Sequence, residues 1–95
     1  MTMSDAVDQT ENERFVIEHD GHTAELVYHL NGTRFVLIHT EVPDELEGHG
    51  IGGHLVQAAV DRARRDGLTI VPKCPFARSW LEKHRDALDG VTVDW

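Results

Sequence analysis

The sequence predicts an α/β protein of the α+β kind. It should hold a mixed, mostly antiparallel sheet, a strand–glycine loop–helix–strand core and a second short helix near the C-terminus. Three observations predict this. Residues 14–42 hold three strand-like stretches, one alternating and one carrying the apolar run Phe35-Val36-Leu37-Ile38, separated by turn residues as in an antiparallel meander. Positions 48–53 then crowd four glycines into six places, between an apolar strand and an amphipathic helix. At 95 residues, the chain has room for one domain with a modest core.

Met1 to Glu13 is polar and acidic, with Ala6 and Val7 its only apolar residues besides the methionines. It is expected to be a disordered tail, leaving 14–95 as the folded domain. Arg14 to His19 reads as a first strand, with Phe15 and Ile17 on one face. Asp20-Gly21-His22 is a turn. In a second strand, Thr23 to Leu30, Ala24, Leu26 and Tyr28 oppose Glu25, Val27 and His29. Asn31-Gly32 is a two-residue hairpin signal, so Thr33 to Val42 should pair antiparallel to that strand. Pro43 ends it, because proline cannot extend a central ladder.

A helix follows the glycines from Ile51 to Asp66, with Ile51, Leu55, Val56, Ala59, Val60 and Ala63 on one face. Asp61 and Arg65, and Arg62 and Asp66, stand at helical spacing on its exposed side. Gly67 is a natural stop. Leu68 to Val71 is an apolar strand, and a strand–helix–strand unit implies a parallel pair with a right-handed crossover. Phe76 to His84 reads as the second helix. Val91 to Trp95 forms either a last short strand or a packed tail.

The glycine stretch carries the chemistry. The first N–H groups of a helix have no partner within it, and the helix dipole is positive at the same end. Glycines let a ligand approach the backbone. No Ser, Thr, Asp or Asn stands in the run to cap the helix, so a bound phosphate could supply the acceptors. The phosphate loop of nucleotide hydrolases needs Lys and Ser or Thr after its last glycine, whereas Gly53 is followed by His54-Leu55. Gly48, Gly50 and Gly53 match a dinucleotide fingerprint formally. However, Pro43 to Glu47 separate strand from glycine, and the next strand ends in Pro72-Lys73-Cys74 without a carboxylate.

The loop resembles that of the GNAT superfamily of acyl-CoA-dependent N-acyltransferases, in which Gln or Arg, two residues, Gly, one residue, then Gly or Ala open a helix after a central strand. Here Glu47-Gly48-His49-Gly50-Ile51-Gly52 takes that place, with Glu47 for the usual Gln or Arg. The resemblance is nearest to the minimal YjdJ-type branch. It is carried also by His39-Thr40-Glu41-Val42-Pro43 and by Pro72-Lys73-Cys74-Pro75-Phe76, and it covers about Arg14 to His84. It implies an acetyl-CoA-dependent N-acetyltransferase acting on an unidentified amine by direct transfer. By this resemblance Thr40, Glu41 and Val42 run beside the pantetheine arm. Gly48, His49, Gly50, Ile51, Gly52 and Gly53 hold the pyrophosphate, and Phe76 flanks the cofactor.

Cys74 follows the last core strand, where a parallel sheet opens its carboxyl end. Many GNAT enzymes protonate the leaving thiolate with a later Tyr. The only tyrosine here is Tyr28, in the wrong region, so Cys74 is the available acid or transient nucleophile. Glu41 and His39, two apart on a strand, share a face as candidate bases. Two other classes of function fit the same residues: a non-catalytic acyl-CoA binder, indifferent to Cys74→Ala, and a small interaction module that uses the glycines for packing.

Composition narrows the partners. The formal net charge of −8 argues against non-specific nucleic-acid binding and anionic membranes, and is compatible with a cationic amine acceptor. One cysteine excludes an internal disulfide and suits a reducing compartment. No apolar run spans a bilayer, and the N-terminus lacks a signal peptide's pattern, so a cytoplasmic protein is expected. His49 and His54 are five apart and no Cys/His cluster occurs, so no metal site is expected.

Overall fold

A computed structural model describes residues 6–95. The chain runs β1 (Val7–Gln9), β2 (Arg14–His19), β3 (His22–Asn31), β4 (Arg34–Glu41), α1 (Ile51–Asp66), β5 (Thr69–Pro72), α2 (Pro75–Lys83) and β6 (Thr92–Val93), with short 3-10 turns between some of them. The strands form one six-stranded sheet in sequence order. β1 to β4 are antiparallel neighbours, while β4–β5 and β5–β6 are parallel. The mixed, mostly antiparallel α/β sheet is thus present, with β6 as a second parallel pair where the sequence had suggested one.

Both helices cover one face. Phe15, Ile17, Ala24, Leu26, Tyr28, Phe35 and Leu37 form a single buried cluster with the apolar stripe of α1 and with Ala77 and Leu81 of α2. α1 has the predicted bounds because both ends are set by glycines in the left-handed region: Gly50 (φ +71°) and Gly67 (φ +67°). The Gly67 amide closes the helix on the Ala63 carbonyl. Pro75 starts α2, at a position where a missing N–H costs nothing.

Two expectations need correction. The disordered tail expected over 1–13 falls partly outside the described residues, and the part described is ordered: Val7–Gln9 pairs with Arg14–Val16. What orders it is polar. Tyr28 donates its hydroxyl hydrogen to Asp8 Oδ1 at 2.5 Å, and Arg62 of α1 donates to Asp8 Oδ2 at 2.8 Å and to the Tyr28 oxygen at 2.7 Å. The Arg62 guanidinium also lies 5.3 Å from the Tyr28 and Phe35 ring centroids. Burial, and then the bond to Asp8, push the Tyr28 phenol up to about 12. The hairpin is also displaced by one residue. Asn31 pairs with Arg34, so Gly32-Thr33 forms the loop, with positive φ at Gly32 alone, as a type II′ turn requires.

Candidate functional site

One extra residue in β4 builds the site. Tyr28 faces Leu37 and Val27 faces His39, so Ile38 has no partner on β3 and forms a bulge. A bulge resets the side-chain alternation. Leu26 is buried under α1 and faces Thr40, which places Thr40 on the helix-covered side of the sheet. Glu25 faces Glu41, so Glu41 and His39 look to the other side. Ile38 itself is left 46% exposed. On its opposite edge, the β4–β5 ladder ends at Leu37 and Pro72. The Lys73 and Cys74 amides then converge on the Leu37 carbonyl at 3.0 and 2.9 Å, and the chain turns away into α2. Beyond Leu37, β4 therefore has an edge unpaired on the β5 side.

That edge faces the start of α1. Gly48 (φ +85°) and Gly50 (φ +71°) turn the loop through conformations that an L side chain resists. Gly50 caps the helix without any side-chain acceptor, the first turn holds no acidic residue, and the first helical bond is His54 N–H to the Gly50 carbonyl at 3.1 Å. The N–H groups before His54 thus lack intrahelical acceptors and point toward the loop. Gly52 and Gly53 have a different role. A Cβ on Gly52 would meet the Phe76 ring at 2.7 Å, and one on Gly53 would meet Trp80 Nε1 at 2.8 Å. These two let the aromatics of α2 close onto α1. Leu46, fully buried in the acidic turn, pins the loop from below.

A groove of about 370 Å³ unites these parts, within the range for a small-ligand site. Thr40 and Val42 line one wall, Glu47, Gly48 and Gly50–Gly53 another, and Phe76 the rim. Of the residues that the sequence set beside the donor, Glu41 and His49 are missing from the lining. The His49 ring packs against His19 of β2, centroids 5.5 Å apart. Leu46 was not expected in the groove; its one signal was being the sole apolar residue in an acidic turn.

The two candidate catalytic side chains are separated. Cys74 is 3% exposed and lies beneath the groove rather than in its lining; its link to the groove is Thr40 Oγ1, 3.3 Å from Sγ. Glu41 opens onto a different groove, on the far face, with Arg14, Glu25 and Asp44. His39 is 4.0 Å from Glu41 there. The two grooves meet at Val42, which lines both. Among the described residues, no group of three or more His, Cys, Asp or Glu is placed to hold a metal. No helix of the described residues is long and apolar enough to cross a membrane.

Comparison with known proteins gives matches of three kinds. The GCN5-related N-acetyl-transferase family model matches residues 14–90. Protein NATD1 of Gallus gallus is 37% identical over 62 residues, 64% of this chain and 56% of that protein. Protein NATD1 of Homo sapiens is also 37% identical over 62 residues, covering 55% of its length. The chain thus spans little more than half the length of these relatives. The solution structure of a GCN5-like candidate N-acetyltransferase from Staphylococcus aureus matches with a TM-score of 0.71 at 33% identity, over 99% of this chain and 90% of that one.

Proposed function

Because the chain belongs to the GCN5-related N-acetyltransferase family, we propose that it takes acetyl-CoA as donor and acetylates an amine by direct transfer. The observation that carries this is the single groove joining an uncapped, glycine-lined helix start to an unpaired strand edge. The N–H groups of the first turn of α1 donate to the pyrophosphate oxygens. The pantetheine arm lies along the free edge of β4 at Thr40 and Val42 and supplies the backbone partners that β5 does not.

The thioester then ends near Thr40, above Cys74. The attacking amine nitrogen bonds to the acetyl carbon, the carbon–sulfur bond breaks, and the CoA thiolate takes up a proton. In this reading Thr40 is the group in the groove that donates it, and Cys74, 3.3 Å behind, holds the hydroxyl and replenishes it. The amine loses its own proton on the other face of β4, where Glu41 and His39 stand as bases.

Calorimetric titration with acetyl-CoA tests the donor. Saturable binding is expected, and it should disappear in Gly50→Trp, whose side chain enters the groove, with circular dichroism verifying that the variant folds. Absence of heat in folded wild-type protein would sink the donor assignment. Release of CoA thiol in the presence of an amine panel then separates an enzyme from a non-catalytic binder.

A further inference from the structure

The chain holds two lysines, Lys73 and Lys83, and seven arginines. Every arginine head has a partner: six pair with a carboxylate, and Arg85 lies over the Trp95 ring at 4.7 Å. Among the described residues neither lysine ammonium has one. Position separates the two lysines. Lys73 stands where the β4–β5 ladder ends, its amide donating to the Leu37 carbonyl at 3.0 Å and to the Val71 carbonyl at 3.1 Å. From this point on, the β4 edge is unpaired. The next residue, Cys74, turns inward beneath the donor groove, 3.3 Å from Thr40 Oγ1, while Lys73 is exposed to solvent. Lys83 closes α2, eight residues after Pro75, which is about 12 Å further along the helix axis.

We propose that Lys73 is a self-acetylation site, whose amine takes the acetyl group from acetyl-CoA bound in the groove of the same molecule. The inference rests on the acyl-CoA reading above and adds an acceptor that the chain itself carries. Reach supports it. Consecutive Cα atoms are 3.8 Å apart, so through the 3.3 Å contact of Cys74 the Thr40 hydroxyl lies at most about 10 Å from the Lys73 Cα. A lysine stem spans about 6 Å, which brings Nζ to within about 4 Å of Thr40, the residue beside which the thioester ends. The root of this side chain is fixed by two amide hydrogen bonds, and its head is free to turn. An amine tethered so close has an effective concentration far above that of a lysine elsewhere on the surface. The ammonium first gives one proton to solvent. The neutral nitrogen then bonds to the acetyl carbon, and the carbon–sulfur bond breaks with its electron pair on sulfur. The nitrogen sheds its extra proton and the CoA thiolate takes one up, which leaves acetyl-lysine and CoA thiol with no further reactant needed.

The test is peptide mass spectrometry of the folded protein after incubation with acetyl-CoA, with Lys83 as the internal reference. Lys73 is expected to gain an acetyl group at least about tenfold faster than Lys83. At saturating acetyl-CoA, diluting the protein should leave the fractional rate at Lys73 unchanged, because the transfer is within one molecule. The excess over Lys83 should vanish in Gly50→Trp and under an excess of CoA, a competitor that needs no variant to fold. It should vanish too with acetyl phosphate, which acetylates amines without an arm to lie along β4. Equal rates at the two lysines, an excess that survives CoA or acetyl phosphate, or a rate that falls on dilution overturns self-acetylation alone. If calorimetry shows no acetyl-CoA binding by the folded protein, the acyl-CoA reading falls and takes this one with it.

Discussion

Replacing Arg62 with Met tests whether a polar cluster, and not apolar burial, holds the N-terminal strand. Methionine keeps the packing of the arginine stem and deletes only its head. The head donates to Asp8 at 2.8 Å, to Tyr28 at 2.7 Å and to Asp66 at 3.3 Å, and its side chain is 12% exposed. Hydrogen bonds to charged groups contribute roughly 1.5–3 kcal/mol each, and breaking a fully buried pair costs about 3–5 kcal/mol. Asp8 keeps the Tyr28 hydroxyl, and its side chain is 22% exposed, so water can reach the freed oxygen. The expected loss is therefore about 2 kcal/mol, near the bottom of those ranges. For a domain of this size each kcal/mol moves the melting midpoint by roughly 4–8 °C, which gives a fall of about 8–16 °C. The assay is thermal unfolding by circular dichroism for Arg62→Met, Asp8→Ala and the double variant. A coupling energy below about 0.5 kcal/mol, or a fall under about 3 °C, would refute the reasoning.

Three other outcomes are expected. The single tyrosine makes an absorbance titration unambiguous: the native midpoint should lie near 12, against 10.0 for a free phenol. Because the folded value is the higher one, this stability is complete below pH 10 and is lost as pH rises toward 12. Asp8→Asn should lower the midpoint without restoring 10, since burial is the larger cause, and a native midpoint at or below 10 refutes it. Glu47→Gln should strengthen acetyl-CoA binding by about fivefold, since a charge some ~8 Å from two phosphate charges in water costs about 1 kcal/mol. The gain should shrink in high salt, and an unchanged affinity at low salt would place Glu47 away from the pyrophosphate. The buried Cys74 thiol should react slowly with disulfide reagents in the native protein and stoichiometrically once unfolded. Immediate native labelling would mean that the thiol is open to the groove.

The parts of the fold legible in the sequence were those specified locally. α1 could be bounded because Gly50 and Gly67 mark its ends and its apolar stripe repeats at helical spacing. β2 and β3 could be found by alternation. β1 could not, because its anchors are Arg62 and Tyr28, distant in sequence, and three residues of mixed polarity show no period. The glycine run was legible as a special helix start, yet four glycines of one appearance divide into two jobs. Gly48 and Gly50 serve backbone conformation, while Gly52 and Gly53 admit the aromatic rings of α2, a contact that no local pattern announces. The apolar run Phe35-Val36-Leu37-Ile38 gave no sign that Ile38 drops out of register, so which of Thr40 and Glu41 faces the helices appears only in three dimensions.

That dropped register has a consequence for how such a protein can change over generations. The bulge decides which of two consecutive residues takes which compartment, Thr40 toward the helices and Glu41 toward the bare side of the sheet. Mutations at His39 or Glu41 can reshape the bare side while the helix side keeps its lining. Loss of Ile38 would only straighten the ladder and leave both sets where they are, whereas drawing Ile38 into register opposite Val27 would exchange them at a stroke. The strand is thus tolerant of substitution and intolerant of a slip in register, and a lineage could diversify what it accepts on one side while inheriting the other intact.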